Sequence, residues 1–275
     1  MTIFVNGLEV KSFNFSAGEC HVTVKHVEIN GVTNIMAKLH DSNSIMQLLM
    51  TVDAVRNINN ETKIELTIPY FPYARQDRVC NYGESFSLRV MADLINSLKC
   101  SSVTIYDPHS QVTIDMINNS NIISMKDIIL SNSMLVQHIQ EQNCVLISPD
   151  KGAMEKVKDV ADEISTEVVC ATKVRDVKTG HIKSSTLHGN VSNKDCIILD
   201  DICDGGRTFT ELAKVLKEKG ANNIYLYVTH GIFSKGLNNF SENFKHIYCY
   251  HLIGKYIDDE DTMLTVLSDS TSSIG

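Results

Sequence analysis

The order of apolar segments constrains the fold most strongly, because strand-like and helix-like stretches alternate along the chain. Residues 42–58 carry apolar side chains at spacings of three and four, with Asp41 or Ser42 available as a cap, and residues 86–98 repeat this helical pattern. Strand-like runs occupy residues 63–69, 102–107, 144–150, 196–201 and 223–230. Such alternation predicts βαβ units with parallel sheets.

The segment "IILDDICDGGRTF", residues 197–209, joins one of these strands to a helix that Gly220 closes. Asp200 and Asp201 end the strand, two glycines allow close backbone approach, and Thr208 opens the helix. Amide groups at a helix start attract anions, so acids and glycines together predict a ligand with both hydroxyls and phosphate, a sugar phosphate. The alternative is a tight strand-to-helix turn capped by Asp204.

The composition argues against several classes of protein. The net charge of −8 argues against general nucleic-acid binding, and no apolar run reaches transmembrane length. The first residues lack the basic region and long apolar core of a signal peptide, so we expect no membrane partner and a cytoplasmic protein. The eight cysteines are scattered without a C-x-x-C pair, which predicts buried reduced thiols rather than disulfides or structural zinc.

Six segments, in order along residues 13–236, resemble the ribose-phosphate pyrophosphokinase family, and the loop at 200–208 resembles the ribose-phosphate signature of type I phosphoribosyltransferases. The segments are "FSAGECHV" (15–22), "YFPYARQDR" (70–78), "YDPHSQ" (106–111), "SPDKGA" (148–153), "TKVRD" (172–176) and "THGIFSKG" (229–236). The resemblance implies an α/β fold of two type I phosphoribosyltransferase-like domains, each with a central, mostly parallel sheet flanked by helices. We place them at residues 1–130 and 131–275, with the last segment a candidate for packing on the first domain.

The resemblance also implies an activity, in which the β,γ-diphosphate of ATP moves to the anomeric hydroxyl of ribose 5-phosphate and AMP is released. Magnesium is the implied cofactor, and a homo-oligomer, a dimer or a hexamer built from dimers, is the implied assembly. Asp200 and Asp201 are expected to bind ribose hydroxyls, with or without a second magnesium. The 5-phosphate is expected to bind Asp204, Gly205, Gly206, Arg207 and Thr208.

Matching positions imply the remaining roles. His109 and Asp150 are expected to hold the magnesium of Mg-ATP, and a carboxylate suits this hard cation better than an imidazole. Lys173 and Arg175 are expected to stabilise the transition state at the β-phosphate. They begin the polar stretch 175–195, which we interpret as a lid, or else as a solvated hairpin without a role.

Four further residues are implied to bind ATP. Arg75 and Gln76 are expected to contact it, and Phe15 and Glu19 are expected to hold the adenine, in the family across a subunit boundary. For individual residues, purely structural explanations remain open. Phe15 alone would be core, His109 a hydrogen-bonded loop histidine, and Lys173 with Arg175 a solvated strand face.

The chain departs from the family pattern in its phosphate loop. The usual D-T-x-G-T here has Gly205 in place of threonine, which removes a hydroxyl, and Arg207 in place of glycine, which adds a cation. Ala17 and Ala153 are further departures. The altered loop suggests an alternative acceptor extended at its phosphate, ADP-ribose, giving ADP-ribose 1-pyrophosphate for NAD resynthesis. A phosphoribosyltransferase and a non-catalytic regulatory relative are the remaining alternatives.

Overall fold

The computed structural model describes residues 2–175, 182–253 and 262–268, with only the backbone for residues 173–175 and 182–185. The chain divides into two compact units, residues 1–124 and 125–275. The helix Met125–Ser131 therefore groups with the second unit, whereas the sequence places the boundary after residue 130. The final segment, predicted to pack on the first domain, lies from residue 269 onward outside the described residues.

The first unit is a mostly parallel sheet with helices as crossovers. Its strands run in the order β2-β1-β5-β6-β7-β8, and the last four are parallel, while β1 and β2 add antiparallel strands at one edge. A separate hairpin is formed by β3 and β4. The elements are β1 (Thr2–Val5), β2 (Leu8–Glu9), β3 (Lys11–Asn14), β4 (Cys20–Thr23), β5 (Val32–Lys38), α1 (Ser42–Ile58), β6 (Lys63–Ile68), α2 (Ser87–Ser97), β7 (Ser102–Tyr106), α3 (Gln111–Met116) and β8 (Ser120–Ile123).

The second unit repeats the design with a larger sheet, in the order β11-β10-β9-β12-β13-β14-β15. All pairs are parallel except the β10–β11 hairpin. The elements are α4 (Met125–Ser131), α5 (Ser133–Glu141), β9 (Val145–Ser148), α6 (Met154–Ile164), β10 (Val168–Arg175), β11 (Ile182–His188), β12 (Cys196–Cys203), α7 (Arg207–Glu218), β13 (Ile224–Gly231), β14 (His246–Leu252) and β15 (Leu264–Val266).

The sequence patterns correspond to these elements. The predicted helix at 42–58 is confirmed as α1, and Asp41 caps it by accepting a 2.7 Å hydrogen bond from the Ser44 backbone N–H. The fully buried strands β9 and β13 are mostly apolar, as is typical of parallel strands covered on both faces, and their polar residues Ser148, Thr229 and His230 lie at or near their carboxyl ends. Each unit has its own apolar core, around Leu66 and Ile68 in the first and Ile198 and Leu226 in the second. The predicted α/β class is confirmed.

Left-handed backbone conformations occur at both ends of the parallel strands. At the amino ends they include Asn119, Asn143 and Asn193, which precede β8, β9 and β12 with φ of 55°, 48° and 57°, and also Lys99 before β7 and Ser165 before β10. At the carboxyl ends they include Asp107 after β7, with φ of 39°, and Phe233 after β13, with φ of 45°. Asparagine and aspartate tolerate this conformation better than a bulky residue such as phenylalanine does.

Two predictions from composition can be compared with the structure. All eight cysteines are free, and six are buried, but Cys170 is partly exposed and Cys80 is exposed, so buried thiols describe six of the eight. In the described part of the chain, no helix combines the length and apolar character needed to span a bilayer.

Candidate active site

In the sheet of the second unit, the order in which strands are added reverses at β9. From β9 the chain continues to β10 on one side, whereas β12 lies on the other side of β9 and continues to β13. In open parallel sheets, ligands bind in the crevice outside the carboxyl ends of the strands at such a point. The predicted acids lie there: Asp150 follows β9, and Asp200 and Asp201 lie near the end of β12.

These three carboxylates influence one another. Burial first, then the charges of Asp201 and Asp150, raise the pKa of Asp200 well above its ordinary value. Asp150 is held in a turn, where its Oδ1 accepts hydrogen bonds from the backbone N–H groups of Gly152 at 3.0 Å and Ala153 at 3.2 Å. The site therefore groups acidic side chains at one strand end, and a cation or sugar hydroxyls bound there would favour their ionised forms.

The loop after β12, Asp204 to Thr208, leads into α7. Gly206 is the N-cap residue with φ of 75°, and its carbonyl accepts the first helical hydrogen bonds, from the N–H groups of Phe209 and Thr210, both at 3.0 Å. The N–H groups of Arg207 and Thr208 lie in the first turn, before intrahelical bonding begins. They provide donors for an anion at the positive end of the helix dipole.

Arg207 takes a direction along the helix. Its Nε donates to Glu211 Oε1 at 2.6 Å, one helical turn further on, and its side chain is 72% exposed. Pairs at this spacing are common on helix surfaces. In this structure the guanidinium is therefore engaged by a carboxylate of its own helix.

Gly206 is required by close packing as well as by its backbone. A Cβ there would lie 2.2 Å from Cζ of Phe240, a fully buried ring that packs edge-on to Phe233 at 6.0 Å between centroids. Gly205 differs, because a Cβ there would meet only the Lys235 side chain at 3.7 Å.

We expect the substitution Gly206→Ala to lower the free energy of unfolding by about 2–4 kcal/mol, through overpacking against Phe240 and the cost of a left-handed alanine. Urea denaturation measures this change. Gly205→Ala is the matched control and should change stability by less than about 0.5 kcal/mol. Equal losses in the two variants would contradict the packing argument.

In the first unit, three of the residues predicted to bind Mg-ATP lie at the carboxyl ends of two neighbouring strands. Arg75 and Gln76 are exposed in the loop after β6, and His109 is exposed just after β7. Between them Asp77 is buried, and the Arg78 guanidinium donates to both its oxygens at 2.7 and 3.1 Å. This hydrogen bonding, with a smaller attraction to His109, holds the pKa of Asp77 below its usual range. No role was predicted for Asp77, although it lies within "YFPYARQDR".

Phe15 and Glu19 lie together at the turn of the β3–β4 hairpin, where the Phe15 N–H donates to the Glu19 carbonyl at 2.8 Å. The Phe15 ring is 53% exposed and packs against Phe13 and His21, with centroids 4.9 and 6.1 Å away. The alternative that Phe15 is a core residue is therefore wrong, and one face of its ring is open to solvent.

Lys173 and Arg175 occupy β10 beyond the end of its pairing with β9, and their backbones pair with Ser185 and Ile182 of β11. The stretch predicted as a lid contains β11, which pairs antiparallel with β10, and residues 176–181 fall outside the described residues. Whether it closes over a ligand stays a prediction. The catalytic roles of both residues also stay predictions, because the structure describes only their backbone.

Two family profiles match successive parts of the chain. Residues 3–98 match the profile of the N-terminal domain of ribose phosphate pyrophosphokinase, and residues 115–252 match that of the phosphoribosyl transferase domain. In fold, the chain is similar to phosphoribosylpyrophosphate synthetase from Mycobacterium smegmatis, with a TM-score of 0.78 and 22% identity over 94% of this chain and 85% of that one.

Curated relatives carry one name, ribose-phosphate pyrophosphokinase. The protein of Cereibacter sphaeroides is 32% identical over 70% of this chain and 57% of its own length, and that of Ureaplasma parvum is 29% identical over 78% and 63%. The chain thus spans about three fifths of the length of these relatives. The protein of Mycoplasmopsis pulmonis is 31% identical over 83% of this chain and 71% of its own length. On these matches, the chain belongs to the ribose-phosphate pyrophosphokinase family.

Proposed function

We propose that the chain is a Mg-ATP-dependent pyrophosphokinase that transfers the β,γ-diphosphate of ATP to the anomeric hydroxyl of ribose 5-phosphate. The observation that carries this proposal is the joining of two subsites within one short segment. Asp200 and Asp201 at the end of β12 offer acceptors for hydroxyl groups, and the start of α7 offers amide donors for a phosphate. One ligand that bears both kinds of group, a ribose phosphate, fits both subsites.

The acidic group fits a magnesium ion. Among the residues that the structure describes, no three potential ligand side chains are gathered into a ready metal site. Magnesium does not require one, since it keeps several waters and binds through one or two carboxylates with substrate phosphates. Burial first, and then the charges of Asp201 and Asp150, raise the pKa of Asp200, and a bound cation would favour its ionised form. Asp150, with His109, is assigned to the magnesium of Mg-ATP, and Asp200 and Asp201 would hold a second ion beside the ribose. Such ions would neutralise charge on the phosphoryl oxygens.

The roles of the chain's own residues follow from this assignment. The carboxylates of Asp200 and Asp201 orient the ribose by accepting its hydroxyl protons in hydrogen bonds, while the start of α7 fixes the phosphate end. The anomeric oxygen is thereby held in place for in-line attack, which is the main requirement of phosphoryl transfer. We assign to Lys173 and Arg175 the stabilisation of the negative charge that develops at the β-phosphate in the transition state. Arg75, Gln76, Phe15 and Glu19 are assigned to ATP.

The assignment of magnesium to His109 with Asp150 spans the two units, each of which is described by itself, and it remains a proposal. The homo-oligomer and the cytoplasmic location also remain proposals. The exposed Phe15 ring at the hairpin turn supports a role in contacting a base.

The two acceptors are not equally supported. An ADP-ribose acceptor needs Arg207 at its diphosphate, whereas Arg207 is paired with Glu211 at 2.6 Å. Leaving this exposed pair would cost Arg207 only about 0.3–0.5 kcal/mol, so the pairing favours ribose 5-phosphate slightly. A phosphoribosyltransferase would use the same loop, but the segment at 70–78 and the N-terminal domain match favour the kinase.

Product analysis with ATP, magnesium and each acceptor tests the proposal. We expect AMP release that depends on ribose 5-phosphate, with kcat/KM at least about tenfold higher than with ADP-ribose. A reversed preference would establish the extended acceptor. AMP-free formation of a nucleotide from phosphoribosyl pyrophosphate and a base would establish a transferase, and absence of every turnover would establish a non-catalytic relative.

A further inference from the structure

The chain leaves β13 through a tight turn that faces the phosphate loop. The Gly236 N–H donates to the Phe233 carbonyl at 2.8 Å, so that Ser234 and Lys235 occupy the two central positions. We call this segment, residues 233–236, the β13 turn. It lies about 30 residues from the phosphate loop in sequence, but β12 and β13 are neighbouring parallel strands whose carboxyl ends lie side by side.

Three contacts hold the β13 turn against the phosphate loop. The Cys203 carbonyl, directly before the loop, accepts hydrogen bonds from the N–H groups of Ile232 at 2.8 Å and Phe233 at 3.2 Å. The Ser234 hydroxyl donates to Asp204 Oδ1 at 2.6 Å. Four residues beyond the turn, the Phe240 ring packs beside Gly206. The two segments are thus joined on both sides of Lys235, whose stem lies against Gly205.

That place is the wall of the phosphate loop at Gly205. Cδ and Cε of Lys235 lie 3.7 Å from the position that a Cβ of Gly205 would take, and Cγ lies 4.0 Å from it. The ammonium nitrogen is one C–N bond of about 1.5 Å beyond Cε, so it lies within about 5.2 Å of that position. The lysine stem therefore fills the space into which a larger side chain at position 205 would project.

The charges around the loop make this position important. Asp200, Asp201 and Asp204 place negative charge beside the site where a phosphate must bind, and Arg207 is paired with Glu211. Lys235 is exposed, and within the described ranges no ion pair engages its ammonium group. A hydrogen bond from an ammonium group to a phosphate is roughly twice as strong as one between neutral partners.

We propose that Lys235 is a specificity-determining residue of the phosphate site. Its ammonium group supplies the acceptor's phosphate with the side-chain donor that is missing at Gly205. The inference rests on the proposed function, since it names the residue that recognises the phosphate of the same acceptor. The competing explanation is that the lysine stem covers Gly205 while its charge stays in water.

Equilibrium binding of ribose 5-phosphate and of ribose, measured by calorimetry without ATP, separates these explanations. We expect Lys235→Gln to weaken ribose 5-phosphate binding about tenfold or more, to leave ribose binding unchanged, and to raise the acceptor KM far more than it lowers kcat. Lys235→Arg should retain most of the affinity. Lys219→Gln, the same charge change at the far end of α7, is the matched control and should bind like the unaltered protein.

A double variant tests whether a hydroxyl at position 205 can replace the ammonium group of Lys235. Gly205→Thr combined with Lys235→Gln should bind ribose 5-phosphate more tightly than Lys235→Gln alone, because the threonine hydroxyl replaces the lost donor. Unchanged ribose 5-phosphate affinity in Lys235→Gln would overturn the inference, even where turnover confirms the proposed function. Conversely, Lys235-dependent binding without AMP release would sustain the inference and overturn the function.

Discussion

Replacing Lys173 with alanine is expected to lower kcat about a thousandfold while ATP still binds. The reason is that phosphoryl transfer depends on fixed positive charge at the oxygens where negative charge grows, and Lys173 with Arg175 is our assignment for that charge. Steady-state kinetics with ribose 5-phosphate measure the loss, and equilibrium binding of ATP shows that the nucleotide site remains.

Lys158→Ala provides the control for this experiment. Lys158 is an exposed residue of α6 in the same unit, where alanine favours the helix, so kcat should not change. Arg175→Ala should resemble Lys173→Ala. Full turnover in Lys173→Ala would refute the catalytic assignment and leave the solvated strand face as the explanation for both residues.

The second large effect is expected at Asp200, where activity and stability should change in opposite directions. Burial and the charges of Asp201 and Asp150 raise the pKa of this carboxyl, so its ionised form opposes folding at neutral pH. Asp200→Asn removes that charge with little change of shape. We expect it to raise the thermal midpoint, by about 2–4 °C for each kcal/mol gained. The acceptor kcat/KM should fall by about 10- to 100-fold through a lost charged hydrogen bond.

The pH dependence of this effect has a definite sign. Because the pKa of Asp200 is higher in the folded state than in the unfolded state, its stability contribution is fully present below the unfolded pKa of about 3.9. That contribution is lost as the pH rises through the folded pKa. The stability advantage of Asp200→Asn should therefore be small at acid pH and grow as the pH rises. Asp162→Asn, at an exposed position of α6, should show no such trend, and the same trend there would contradict the assignment to burial.

Local pattern was enough to predict much of the fold. The spacing of apolar residues predicted α1 within its observed bounds, and the acid-rich end of β12 followed from a buried strand that stops at polar residues. The pairing of Arg207 with Glu211 was also available, since the two residues are four apart on a predicted helix. The hypothesis of an extended acceptor overlooked this nearer partner.

Other features of the site depend on contacts between distant segments, and no local pattern reports them. Lys235 and Gly205 are brought together only because β12 and β13 are adjacent, so their contact requires the strand order. Asp77 was inconspicuous for a different reason. Its burial beside Arg78 is decided by the packing of the loop after β6, whereas in the sequence it is one charged residue among several.

The left-handed backbone at Phe233 introduces conformational strain into the site. The asparagines at the amino ends of the strands adopt this geometry easily, whereas a non-glycine aromatic residue does so at a cost on the order of 1–2 kcal/mol. The Cys203 carbonyl and the buried Phe240 ring hold it there, so part of the packing energy of the second unit maintains the shape of the turn. Mutations that loosen this core should distort the turn before they unfold the unit. Core packing and acceptor affinity are thus linked through one backbone position.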